Sequence, residues 1–127
     1  MIHAQCFCGI GSKGKGKLIL GKDSIINYRC FLDLGDDIII GNHVGVSFGC
    51  TFVNSSHKVG NASKRYGEGY SKPIIVGDGC WIGANVTIMP GVTIAPGCII
   101  ATNSLVLHDT NANGLYAGSP ARRIKDL

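Results

Sequence analysis

Charge is scarce in this chain. Only 16% of its 127 residues are Asp, Glu, Lys or Arg, against roughly 25% in an ordinary soluble domain, which excludes a coiled coil and a charged disordered tail. Aromatic residues are few as well, 7% of the total with a single tryptophan, and they are scattered. A nucleic-acid surface calls for a broad basic face interleaved with stacking rings. Here the basic residues cluster instead in Lys13 to Lys22, Lys58 to Lys72 and Arg122 to Lys125, with a net charge of +4. Clusters of that kind suit an acidic small ligand. No charged segment leads into an apolar stretch at Met1, so no secretory signal is read, and a reduced cytoplasmic setting is expected.

Glycine is what the chain has in excess: 19 residues, about twice the usual share, without the G-X-Y period of collagen. Residues 79–107 carry no charge and are long enough to span a bilayer. Pro90, Pro96, four glycines and the polar Asn85, Thr87, Thr93, Thr102 and Asn103 interrupt them at regular intervals. A lone spanning helix so broken would leave backbone groups unpaired in lipid. One folded domain, 1–127 with a short C-terminal tail, is expected, because the length suits a single core.

The intervals have a period of six. Val76, Ile82, Ile88, Ile94, Ile100 and Val106 recur without a slip, and Leu20, Ile26 and Leu32 repeat the spacing upstream. Four residues after an aliphatic comes a small or β-branched residue: Ser24, Cys30, Val44, Cys50, Cys80, Val86, Val92, Cys98 and Ser104. Neither a helix at 3.6 nor one long strand at 2 accommodates six, so the unit is a short strand plus a corner. Three such units close a triangular coil, and stacked coils bury a ladder of aliphatics at roughly 4.8 Å spacing. Gly41, Gly77 and Gly83 are read as corner glycines with permissive dihedrals. The expectation is an all-β parallel β-helix of about five coils, with a two-residue register advance before Ile40 and one protruding loop near residues 54–73.

Several motifs resemble chemistry and yield to the repeat. Cys30, Cys50, Cys80 and Cys98 occupy the small inward slot, with Cys6 in the same slot, where a free thiol is a compact apolar filler. Gly9 to Lys15 matches most of a phosphate-binding loop, but Gly16 stands where Ser or Thr is needed and no helix pattern follows. His3 and His43 do not converge with the other histidines on a three-ligand metal site, so no metal is expected. His57 ends a repeat run at the base of the loop, where it reads equally as a general base or as a solvated loop residue.

The stretch Lys72-Pro73-Ile74-Ile75-Val76-Gly77-Asp78-Gly79-Cys80-Trp81-Ile82-Gly83-Ala84-Asn85, the run Pro90-Gly91-Val92-Thr93-Ile94 and the ending Ala117-Gly118-Ser119-Pro120-Ala121-Arg122 carry a resemblance. They resemble the maltose and galactoside O-acetyltransferase group of hexapeptide-repeat acyltransferases, which are left-handed β-helices. The resemblance implies a homotrimer that takes acetyl-CoA as co-substrate in a groove between subunits and acetylates a sugar or polyol hydroxyl. His57, 24 residues before Trp81, falls on the family's catalytic histidine. Asn27 matches its substrate-side asparagine, a match that a coil-corner Asn would also give, and Asp33 lies near its acceptor-binding carboxylate. Ala84, Thr102, Leu107, His108, Arg122 and Lys125 fall on its cofactor positions, the last two as cations suited to phosphates. His108 replaces a customary lysine, and Lys58 replaces the proline that usually follows the catalytic histidine. The helical segment that precedes the repeats in many relatives has no counterpart in these residues, so acceptor identity does not transfer. Three alternatives stand beside this reading: an N-acetyltransferase of an amino sugar or xenobiotic, a non-catalytic β-helix scaffold, and a γ-carbonic-anhydrase-like metal enzyme.

Overall fold

The structure, a computed structural model, describes residues 1–9 and 15–127. Most of the glycine-rich motif between Gly9 and Lys15 therefore lies outside the described residues. Short parallel strands stack into three faces of a prism. The first face stacks Phe7–Cys8, Phe31–Leu32, Thr51–Phe52, Thr87–Ile88 and Leu105–Val106. The second stacks Leu18–Leu20, Ile38–Ile40, Ile74–Val76 and Thr93–Ile94. The third stacks Ile25–Ile26, Gly45–Val46, Trp81–Ile82, Ile99–Ile100 and Gly114–Gly118, and Ala121–Asp126 folds back on it antiparallel. The chain visits the second, third and first faces in turn, which makes a parallel β-helix of about five turns, as the six-residue period requires.

The two sequence ladders form the core. Ile26, Leu32, Ile40, Val46, Phe52, Val76, Ile82, Ile88, Ile94 and Ile100 are at most 1% exposed. Each such side chain contributes roughly 1.5–3 kcal/mol on burial, and parallel pairing between successive coils satisfies the strand backbone, for instance Ile38 with Ile74 and Ile40 with Val76. The small slots are buried as well, and they are more than fillers. The thiols of Cys30, Cys50, Cys80 and Cys98 donate to the carbonyls of Ser47 (3.3 Å), Gly83 (3.1 Å), Ala95 (3.2 Å) and Asn111 (3.1 Å) in the next coil. Ser24 does the same to Gly41 through its hydroxyl, at 2.7 Å. Cys and Ser act as small donors in columns that also hold Val44 and Val86. Burial pushes the Cys80 thiol above its ordinary value of 9.0, and the neighbouring Cys30 thiol, with burial, does the same to Cys50.

The corners differ from the sequence expectation in one respect. The left-handed residue of a turn is the one just before the small slot: Asp23, Arg29, His43, Asn85 and Asn103 have φ between 54° and 63°, and Gly49, Gly79 and Gly97 join them near 72°. Gly41, Gly77 and Gly83 have no positive φ. What excludes a side chain there is the coil above: a Cβ on Gly77 would lie 2.6 Å from the Pro96 nitrogen, and one on Gly83 2.7 Å from the Thr102 nitrogen. Close backbone approach, rather than dihedral freedom, selects these glycines.

Between Phe52 and Ile74 the coil opens, and the loop expected there is an antiparallel hairpin of Ser55–Val59 with Tyr66–Ser71. Asn54, fully buried, anchors its neck by donating to the carbonyls of Asp36 and Asp37 and accepting from Gly35 N at 2.9 Å. The segment expected as a short C-terminal tail is a paired strand. It turns back through Gly118, at φ 110°, and the cis Ser119–Pro120 bond. None of the helices that a membrane span would need is present among the described residues.

Candidate functional site

The residues singled out from sequence fall on two edges of the prism. Where the third face turns into the first lie Asn27, Ala84 and Thr102, each in the turn after its strand. Where the first face turns into the second lie Asp33, the hairpin with His57, and Leu107 with His108. Arg122 and Lys125 lie on the last strand, at the C-terminal end of the third face. A whole face separates the two edges, so one chain does not bring Asn27 or Ala84 to its own His57.

His57 is exposed, in the outgoing strand of the hairpin. Its Nδ1 lies 3.0 Å from the Gly67 carbonyl oxygen of the returning strand. A carbonyl only accepts, so Nδ1 carries the proton and the lone pair sits on Nε2. The Tyr66 ring meets the imidazole edge-on, with centroids 5.8 Å apart and planes at 80°. One strand thus supplies the imidazole, and its partner fixes the tautomer and the ring. No sequence signal could have named Tyr66 or Gly67, because their contacts cross a hairpin that has no period.

Asp33 is half-buried and already engaged. Its Oδ2 accepts from Asn54 N at 3.1 Å, Ser55 N at 2.8 Å and the Ser55 hydroxyl. It therefore ties the coil to the hairpin neck, two residues before His57. Asn27 is half-buried; its Oδ1 accepts from Tyr28 N at 3.3 Å, and its backbone carbonyl accepts the Cys6 thiol at 3.0 Å.

At the opposite edge, the Ala84 carbonyl accepts from Asn103 N at 2.9 Å, so the group that Ala84 offers a ligand is its N–H. Thr102, Leu107 and His108 are exposed. Three basic residues near the C-terminus divide sharply. Arg123 is a clamp, donating to the carbonyls of Asn111, Ala112 and Asn113 at 3.1–3.3 Å and to Asp126 at 3.0 Å. Arg122 and Lys125, the two read as phosphate ligands, are exposed, and Arg122 bonds only to the Ala121 carbonyl among the described residues. His43 lies 3.8 Å from Asp23, and His3 stacks on Tyr28 at 4.7 Å. Among the described residues no three His, Cys, Asp or Glu side chains gather as a metal would need.

Comparison with known proteins identifies the family. The family model "Bacterial transferase hexapeptide (six repeats)" matches residues 73–108. The chain is 34% identical over 110 residues to the galactoside O-acetyltransferase of Escherichia coli K12, covering 85% of this chain and 53% of that protein. It superposes on a maltose O-acetyltransferase from Clostridium difficile with a TM-score of 0.87 at 29% identity, covering 99% of this chain and 65% of that one. A hexapeptide-repeat-containing acetyltransferase from Vibrio cholerae, complexed with acetyl coenzyme A, gives 0.82 at 32% identity, with 100% and 70% covered. The chain thus spans about half the length of the galactoside enzyme.

Proposed function

Because the chain belongs to the bacterial transferase hexapeptide family of acetyltransferases, we propose that it moves an acetyl group from acetyl-CoA to a hydroxyl of a sugar or similar polyol, with His57 as general base. The observation that carries this reading is the Nδ1 bond of His57 to the Gly67 carbonyl at 3.0 Å, which leaves Nε2 as an exposed proton acceptor. A hydroxyl is a weak nucleophile at neutral pH. Nε2 takes its proton as the oxygen attacks the thioester carbonyl; the C–S bond breaks, and the imidazolium returns the proton to the departing thiolate. Atoms balance without a covalent acyl-enzyme.

The two-edge distribution supports a homotrimer with its sites between subunits. Asn27, Ala84 and Thr102 of one chain would face His57, Asp33, Leu107 and His108 of its neighbour. The amides at Ala84 and Thr102 would receive the pantetheine arm, and Arg122 and Lys125 the phosphates of acetyl-CoA. A cytoplasmic location fits a reaction that draws on acetyl-CoA. His57→Ala is expected to lower turnover by about 10² to 10⁴ with the assembly and the thermal midpoint unchanged, since the ring is exposed. Steady-state kinetics on purified trimer checks it, and unchanged turnover removes His57 from the reaction.

A further inference from the structure

The hairpin carries more charge than catalysis by His57 needs. Lys58, Lys64 and Arg65 lie within it and Lys72 follows it, while Glu68 is its one carboxylate. Glu68 is taken: Lys58 Nζ sits 3.2 Å from its Oε2. Asp33, beneath the neck, is taken as well, by Asn54 and Ser55. Lys64 instead places its ammonium 5.0 Å from the centre of the Tyr66 ring, the ring that meets His57 edge-on. Arg65 is held at the hairpin tip by a bond from Nη1 to the Gly60 carbonyl at 3.2 Å. Among the described residues no acidic group lies within ion-pair distance of Lys64 or Arg65.

Imidazole, aromatic ring and ammonium therefore form a contact series on the hairpin. Cations without partners beside a reacting centre raise the local concentration of anions, and a carboxylate or phosphate gains a charge-assisted bond that a neutral hydroxyl does not. Resting on the transferase reading above, we propose that the acceptor is an anionic saccharide, a uronic acid or a sugar phosphate, whose charge is held by Lys64 and Arg65 while Tyr66 flanks its ring.

Calorimetry on the full chain loaded with CoA, with galactose, galacturonate and galactose 6-phosphate as probes, tests this. Wild type is expected to bind at least one charged sugar about tenfold more tightly than galactose at low salt. Lys64→Gln or Arg65→Gln should abolish the preference, and about 0.3 M salt should shrink it. His57→Ala should keep the preference while losing turnover, so failure of the base assignment and failure of this proposal give different results. Equal affinity for charged and neutral sugars overturns it, as does a preference that both substitutions leave intact. Weaker CoA binding in the two variants, with the acceptor ratio unchanged, assigns the cations to the donor and overturns it too. Absence of binding by all three sugars does the same, while intact CoA binding would leave the transferase reading standing.

Discussion

In the coils the ladder side chains between Ile26 and Ile100 are essentially unexposed, whereas no residue of the hairpin from Ser55 to Ser71 is buried. The coils repeat one solution, so each turn supports its neighbours and little in any one of them is unique. The hairpin repeats nothing, packs little, and holds the imidazole, two tyrosines and the cations Lys64 and Arg65, which have no ion-pair partner among the described residues. On the proposed function, stability rests on the coils and the proton transfer on the hairpin, and the two parts are joined at Asn54 and Asp33.

The largest effect should come from breaking the ladder. Phe52 is fully buried on the first face, just before the hairpin, and Phe52→Ala should cost about 3–5 kcal/mol through lost transfer energy and the cavity left behind. Replacing residues 58–68 by a short glycine turn should leave the denaturation midpoint nearly unchanged and abolish turnover. Paired denaturation and activity measurements check the contrast. A hairpin deletion that unfolds the chain would show that the two regions are not separable.

Asp33 tests the joint. Its carboxylate accepts from two backbone amides and one hydroxyl, and Asp33→Ala should cost roughly 1–3 kcal/mol because those donors lose their acceptor. Loosening the neck should also lower kcat more than it raises KM for acetyl-CoA, since the hairpin and not the donor groove is disturbed. A variant with wild-type kcat and a weakened acceptor would instead make Asp33 a direct ligand, as the family resemblance implies.

The same division sets what the sequence discloses. Ile82, Ile88 and Cys80 were legible because a period of six fixes which residues face inward, and the buried ladder from Val76 to Val106 follows it without a slip. The position of the hairpin was legible from the break in that period. His57 was found through the spacing to Trp81 in a known motif, and the Gly67 contact adds the tautomer, which no spacing could give. What escaped depends on neighbours rather than period. Gly77 is small because Pro96 of the next coil lies above it. The thiols at small slots serve as donors because a carbonyl of the next coil faces them. Tyr66 is beside His57 because a turn of unconstrained residues returns it there.

Those thiols give the smallest and most selective test of the coils. Cys80 is 1% exposed, and burial raises its pKa from 9.0. The folded form therefore keeps the proton at pH values where the unfolded chain has released it. A group raised on folding contributes its full stabilisation below the unfolded pKa and loses it as pH climbs toward the folded one. Stability should be flat from pH 6 to about 8 and should fall above 9, by up to about 1.4 kcal/mol for one such thiol at a pH one unit above its unfolded value. Cys80→Ala should flatten that limb by the contribution of one thiol, while substitution of the exposed Cys8 should leave it unchanged. Urea denaturation across this range reads the difference between the two variants directly. Identical alkaline limbs in wild type and Cys80→Ala would mean that water reaches the small slot, and that the coils open more readily than their burial implies.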